Sequence, residues 1–202
     1  MSARSIRRRY LRRDSGAQIV EFAVALPLLV VFVVGIFDFS GAFTLKQKLT
    51  NVARDAARVA AADPASDVPS SSTALPASVT DAYQLITNYF TVNQLNNCGM
   101  TAGSSTLSGT TWTFSATSNG CTGPGLKIII NRGYYFPESN SAVAPTVLCQ
   151  SQSPGSQTAV IGTCVSIQYA YQWRFGNVST LLGGSPVLPA AISATAVAMN
   201  EN

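Results

Sequence analysis

Histidine does not occur once in these 202 residues. Its absence removes the commonest general base near neutral pH and the commonest metal ligand, and it leaves no Ser-His-Asp arrangement to assemble from the many serines. Charge is scarce as well, at 11% of residues, and lysine beyond position 62 reduces to Lys127. Glu138 is an isolated carboxylate without the partner that glycoside hydrolysis needs. The glycine-rich stretch Leu181-Leu182-Gly183-Gly184-Ser185 lacks the Gly-Lys-Ser/Thr of a phosphate loop and reads as a turn. The expectation is a protein that is not an enzyme, with no cofactor and no metal.

Four cysteines are present, Cys98, Cys121, Cys149 and Cys164, and none shows the C-x-x-C spacing of zinc or redox sites. Disulfides in an oxidising compartment fit better. Four cysteines allow three pairings, of which Cys98–Cys121 with Cys149–Cys164 is favoured because both links are local in sequence.

The net charge is +4, yet six of the thirteen basic residues (Arg4, Arg7, Arg8, Arg9, Arg12 and Arg13) precede position 14. From Ala17 onward 7 basic residues face 8 acidic ones. The basicity therefore belongs to the leading segment, and a nucleic-acid partner is not expected. From Ala17 to Phe43 the chain is almost continuously apolar, interrupted by Gln18, Glu21, Asp38 and Ser40. As a helix this run is about 40 Å long, more than the roughly 30 Å hydrocarbon core of a bilayer. The preceding arginines put the N-terminus on the cytoplasmic side and everything after about residue 45 outside, where disulfides persist.

The helical pattern continues past the apolar run. Leu45, Leu49, Val52, Ala56 and Val59 recur at steps of four and three, flanked by Lys46, Lys48, Arg54, Asp55 and Arg58. One helix is predicted from about Ile19 to Ala62, ended by Asp63-Pro64. Arg54 and Arg58, one turn apart near its end, are expected to complement its dipole. Within the helix, Pro27 lacks a donor, and Gly35 and Gly41 allow close helix approach, so packing is the role expected of Pro27 and Gly35. Asp38 is expected at the outer membrane interface, with contact to a partner helix as the alternative.

Glu21 has two readings. It either sits solvated at the cytoplasmic headgroup level, or it serves a chain cut after Gly16. Such a cut would remove the six leader arginines, which could not enter a packed apolar bundle, and would make Ala17 the new N-terminus. Glu21 would then lie one helical turn from the new amine, able to neutralise it in the same chain or in a neighbour.

Gly16, Ala17 and Glu21 ahead of a long apolar helix resemble the class III signal cut by prepilin peptidases. More specifically, residues 16–61 are similar to the TadE-like pseudopilins of tight-adherence (Flp/Tad) type IV pilus systems. The likeness rests on Glu21-Phe22-Ala23, Leu26-Pro27-Leu28-Leu29, Gly35-Ile36-Phe37-Asp38-Phe39 and Asn51-Val52-Ala53-Arg54-Asp55-Ala56-Ala57-Arg58. The chain end is loosely similar too, although Asn200 stands where that family commonly has an arginine.

The resemblance implies a minor pilin or pseudopilin acting in pilus assembly and surface adherence. Its implied partners are the major pilin, other pseudopilins, a prepilin peptidase, an inner-membrane assembly platform and the inner membrane itself. Before assembly it would sit in the inner membrane with its C-terminal domain in the periplasm; after assembly it would be on the pilus at the cell surface. Two alternatives remain, an unprocessed single-span protein whose outer domain binds cell-wall material or a ligand, and a tip adhesin. For the latter, Tyr134, Tyr135 and Trp173 would supply a stacking surface for glycans, against a place in the core.

The expected organisation is a basic leader at 1–16, a stem helix at 17–62, a linker at 63–76 and an extracytoplasmic domain at 77–202. In that domain Ser78 opens a second helix to about Leu95 with a capping-box-like spacing to Asp81, burying Val79, Ala82, Tyr83, Ile86, Tyr89 and Phe90. Strands are predicted over 165–175, where apolar and polar residues alternate without a break, over "TWTFSAT", over "LKIIINRGYYF" as one or two strands near Gly133, and over 190–199. The stretches 96–109, 118–125 and 137–158 read as loops, with the cysteines in or beside them. The fold class is α+β, a long N-terminal pilin-like helix with a small, mostly antiparallel sheet and one further short helix.

Overall fold

The computed structural model describes residues 14–68, 74–121, 123–137, 148–149, 159–174 and 188–201. The order of elements is α1 (Asp14–Ala62), α2 (Ala77–Val92), β1 (Ser105–Ser108), β2 (Thr111–Ala116), β3 (Leu126–Pro137), β4 (Ala159–Ala170) and β5 (Ala191–Met199), with short 3-10 turns at Ala65–Asp67 and Ala102–Ser104. This is the α+β class. The chain divides into two compact units, one taking the chain through Gly41 together with Trp173–Leu188, the other Ala42–Gln172 with Pro189–Asn202.

In the first unit, α1 starts at Asp14 rather than near Ile19 and runs through Pro27 as one element. The helix is long and apolar enough to cross a membrane. Its side chains from Gly16 to Val30 are exposed.

In the second unit, α1 buries Leu45, Leu49, Val52, Ala53, Ala56, Ala57 and Ala60. Val59, expected on that face, is exposed, and alanines take its place. These small side chains share one core with residues of the sheet. The buried stripe is consequently broader than a four-and-three repeat of large residues suggests.

The sheet is an antiparallel meander in the order β1-β2-β3-β4-β5. Alternation along the strands sends Trp112, Phe114, Ile128, Ile130, Val165 and Ile167 into a core shared with α1 and α2. Burying each such side chain contributes roughly 1.5–3 kcal/mol. Tyr83 of α2 stacks on Phe114 of β2 with ring centroids 4.5 Å apart. The opposite parity supplies a second cluster of Ile129, Tyr134, Cys149 and Cys164. Both faces of β4 are therefore covered along 162–167.

Several strand boundaries depart from expectation. β4 ends at Ala170, so the unbroken alternation over 165–175 overstates it, and it begins earlier, at Ala159. β3 is one strand with a bulge between Asn131 and Tyr134. The extra residue swaps the faces, which is how Tyr134 comes to lie with Ile129 in the second core. β1 was expected to be loop; its four mostly exposed residues pair with β2 and form an edge.

The capping box at Ser78 does not form. Pro76 is the N-cap of α2 and makes no side-chain cap bond. The carboxylate that meets this helix end comes from Asp67, whose Oδ2 accepts from the Ser78 N–H at 2.9 Å. At the other end α2 stops at Val92, three residues early. Leu95 N–H reaches back to the Phe90 carbonyl at 2.8 Å, and Gln94 adopts a positive φ of 55°.

Two disulfides close, Cys98–Cys121 and Cys149–Cys164, with Cα–Cα separations of 5.4 and 5.5 Å. The first ties the segment after α2 to the loop after β2. The second holds Leu148 and Cys149 against the middle of β4; Cys164 is thus a buried strand residue, not a loop cysteine.

Candidate functional site

The residues singled out at the start of α1 lie on one side of an isolated stretch of helix. Gly16, Ala17, Val20, Glu21, Val24, Ala25 and Leu28 line a shallow, largely apolar concavity. Steps of four residues place Ala17, Glu21 and Ala25 along one line of the helix, with Gly16, Val20, Val24 and Leu28 along the next. A Cβ added at Gly16 would meet nothing within 4 Å. The position is open to an incoming protein, and its glycine is not required by packing within this chain. Glu21 is the one carboxylate of the strip.

Further along the same unit, Gly35 and Asp38 are buried, Asp38 being 7% exposed. Phe39 packs on Trp173 with ring centroids 5.2 Å apart. Tyr134 is buried in the second core and Tyr135 is half-buried. Of the three aromatics considered as a stacking platform, Tyr134 and Trp173 thus have packing partners of their own. Glu138 and the Leu181–Ser185 stretch lie outside the described residues.

The second unit contains a polar cluster that patterning along the sequence passed over. Arg132 projects from the bulged part of β3 with its side chain fully buried. Its Nη1 donates to the Ala60 carbonyl in the last turn of α1, to Thr163 Oγ1 at 2.9 Å and to Asn200 Oδ1 at 3.3 Å. Its Nη2 donates to the carbonyls of Asp63 at 2.8 Å and Pro64 at 3.3 Å, and pairs with Asp67 Oδ1 at 3.4 Å. These carbonyls belong to the end of α1 and the turn that follows, where unpaired acceptors carry partial negative charge.

Asn200 completes the cluster. Its Nδ2 donates to the Arg132 carbonyl at 3.1 Å, while its Oδ1 accepts from Thr163 Oγ1 at 2.6 Å. The next residue, Glu201, donates its N–H to the Ala61 carbonyl at 3.0 Å. The bulge itself is pinned by Asn131, which accepts from Thr110 Oγ1 and from the Gly133 N–H and donates to the Cys149 carbonyl, each at 3.0 Å. A Cβ at Gly133 would strike the Thr110 side chain.

Arg132, not Arg54 or Arg58, therefore answers the dipole at the end of α1. The last turn holds no basic residue, and both arginines are exposed. Burial alone would raise the Asp67 carboxyl. The hydrogen bonds from Ser78 and the nearby Arg132 guanidinium outweigh it and hold the group below its ordinary value of 3.8. The detectable signal for this cluster was a single cation, beside Asn131, inside the otherwise largely apolar run Ile128–Phe136.

Among the described residues no three His, Cys, Asp or Glu side chains come together as a metal site. The family model described as TadE-like protein matches residues 16–58. No curated protein and no solved structure matches the chain. The match covers α1 from Gly16 to Arg58, including the concave strip.

Proposed function

We propose that this chain is a minor pilin or pseudopilin of a tight-adherence type IV pilus, acting as a structural and assembly component and not as a catalyst. The observation that carries the reading is the TadE-like match, which begins at Gly16 and runs along a helix whose first two turns expose Gly16, Ala17 and Glu21 together. In this reading residues 1–16 are a leader removed by a prepilin peptidase after Gly16. The peptidase must reach an unencumbered backbone, and the open space around Gly16 supplies that access.

Cleavage would create an α-amino group at Ala17, one turn from Glu21. In hydrocarbon an unpaired carboxylate costs about 2.5–3.5 kcal/mol on insertion scales, so a pair with that amine, in the same chain or the next, lowers the cost of burying both. Release of six arginines would let the strip Gly16–Leu28 pack against neighbouring pilin helices. The inner membrane holds the helix before assembly, with residues after about 45 on the periplasmic side, and the pilus holds it afterwards. The major pilin, other pseudopilins and the inner-membrane assembly platform are the partners of this reading.

The test is the N-terminal sequence of the chain recovered from cells with an active prepilin peptidase. A chain beginning at Ala17 is the expected result, and an intact leader would sink the processing step. Complementation of a deletion strain, with the purified filament probed for this chain, tests the place in the pilus. Full piliation without the chain counts against an assembly role.

A further inference from the structure

The helical layer of the second unit carries exposed charge of both signs, while Asp63, Asp67 and Glu201 lie in the turn after α1 and at the end of β5. The five strands carry Lys127 and the buried Arg132 as their only ionisable cations and no described carboxylate, whereas α1 from Ala42 and α2 carry Lys46, Lys48, Arg54, Asp55, Arg58 and Asp81. Lys46 is engaged, donating its ammonium to the Ser193 carbonyl on β5. Arg132 takes the role at the end of α1 that would otherwise occupy Arg54 and Arg58. Among the described residues the one ion pair is Arg132–Asp67, so these two arginines are not consumed by the fold.

The carboxylates sit beside them on a different line of the helix. Successive residues of an α-helix are about 100° apart, so Arg54 and Arg58, four residues apart, form one row while Asp55 points toward α2. There Asp55 lines an open groove of ≈ 530 Å³ with Asp81, Gln84, Asn88, Tyr89 and Val92. No cation lines it. Its apolar lip is unusually bare, Val92 being 81% exposed. Arg58 lies one turn from Asp55 on the same helix yet makes no ion pair with it. Even if formed, such an exposed pair is weak and is readily given up to a better partner.

We infer that this groove receives the Arg54–Arg58 row of a second copy of the chain. The two patches are complementary in charge and differ in position, so the contact is heterologous: each copy offers its arginine row to one neighbour and its acidic groove to another. Guanidinium groups suit the purpose, since they can meet carboxylates in a bidentate fashion while stacking on Tyr89. Repetition of such a contact extends a row of subunits and does not close on a pair. The contact lies entirely within the second unit and does not depend on cleavage after Gly16. Its failure is therefore separable from failure of the processing step.

The experiment uses two differently tagged full-length copies co-expressed in membranes and extracted in mild detergent, with capture of one tag and detection of the other. Reversing the row (Arg54→Glu with Arg58→Glu) in both copies, or the groove (Asp55→Lys with Asp81→Lys) in both, is expected to lower co-capture about tenfold or more, the effect of two exposed pairs replaced by repulsion. Combining one copy of each kind restores it, because one native contact and one reversed contact form. That restoration also shows that the variants fold. Raising salt to about 1 M, where the screening length is about 3 Å, weakens the wild-type capture. The proposal is overturned if charge reversal leaves co-capture unchanged, or if the mixed pair is no better than either variant alone. Capture of a different protein through the groove, with no capture of the second copy, overturns it as well.

Discussion

The guanidinium of Arg132, inside the bulged stretch of β3, donates to the carbonyl of Ala60 in the last turn of α1. This relationship fixes the helix end to the sheet through a group that has left water entirely. A buried cation is tolerable when its charge is met, and six acceptors from four chain segments meet the two Nη groups, while the buried Nε has no partner among the described residues. The end of α1, the Asp67 turn that precedes α2, the centre of β4 and the end of β5 converge on a single side chain. Through this point a load carried along the helix passes directly to the sheet.

Removing the guanidinium is accordingly the most damaging single change predicted for the second unit. Arg132→Ala leaves Asp67 Oδ1 and several carbonyls without this donor and should destabilise the fold by about 3–5 kcal/mol. Asn200→Ala, which removes the bonds of Asn200 to Arg132 and Thr163 but leaves the direct Arg132–Thr163 bond, should cost less, about 1–3 kcal/mol. Urea unfolding of the detergent-solubilised chain, followed by near-ultraviolet circular dichroism, measures both. Equal stability of Arg132→Ala and the wild type would show that the convergence has no energetic weight.

Asp67 makes that stability depend on pH. Its carboxyl is held below 3.8 in the folded chain, so the folded state binds its proton less readily than the unfolded state does. The contribution is complete above the ordinary carboxylate value and is lost as the pH falls through the depressed one. Unfolding free energy measured from pH 6 downward should fall across that acidic window in the wild type. In Asp67→Asn the corresponding part of the slope should vanish, and the stability near neutrality should be lower.

Much of this arrangement follows from local patterning, and the parts that do not have identifiable causes. β2 and β5 were legible because alternation over six to nine residues has few competing explanations. β1 was not, because Ser105-Thr106-Leu107-Ser108 has too little apolar contrast to distinguish a short edge from a loop; only pairing with β2 makes it a strand. Val59 was misplaced because a periodic search prefers a large aliphatic to the alanines that α1 buries. The cap of α2 was misread because Ser78 and Asp81 satisfy a local rule that Asp67, eleven residues upstream of Ser78, supersedes. At the start of α1, Gly16, Ala17 and Glu21 were recognisable from their order alone, and helical geometry puts them together. The Arg132 cluster depends on contacts between residues more than sixty positions apart, which no local window contains.

The two disulfides should differ in consequence. Cys149–Cys164 closes a separation of 15 residues and Cys98–Cys121 one of 23, so chain entropy alone gives similar values of about 3 kcal/mol each. Cys164, however, lies in the middle of β4 and anchors the second core. Cys149→Ala with Cys164→Ala should therefore lose that cluster in addition to the entropic term and fall below Cys98→Ala with Cys121→Ala in stability. Parallel unfolding curves of the two double variants decide the order.

Glu21 is predicted to matter for assembly while leaving insertion intact. Glu21→Gln removes the charge and keeps the shape and hydrogen-bonding capacity, so the helix should enter the membrane at least as well as the wild type, and cleavage after Gly16 should proceed if the peptidase reads the glycine and its neighbour. A pair with the Ala17 amine is then lost, and that amine is left to be buried alone. Incorporation into filaments should fall about tenfold or more, the equivalent of one partly buried pair. Glu21→Asp, which keeps the charge on a shorter arm, should recover part of the loss. Quantitative immunoblotting of membrane and filament fractions separates the steps. A normal amount of Glu21→Gln in filaments would mean that the carboxylate has no partner in the assembled state, and would return Glu21 to the solvated interface reading.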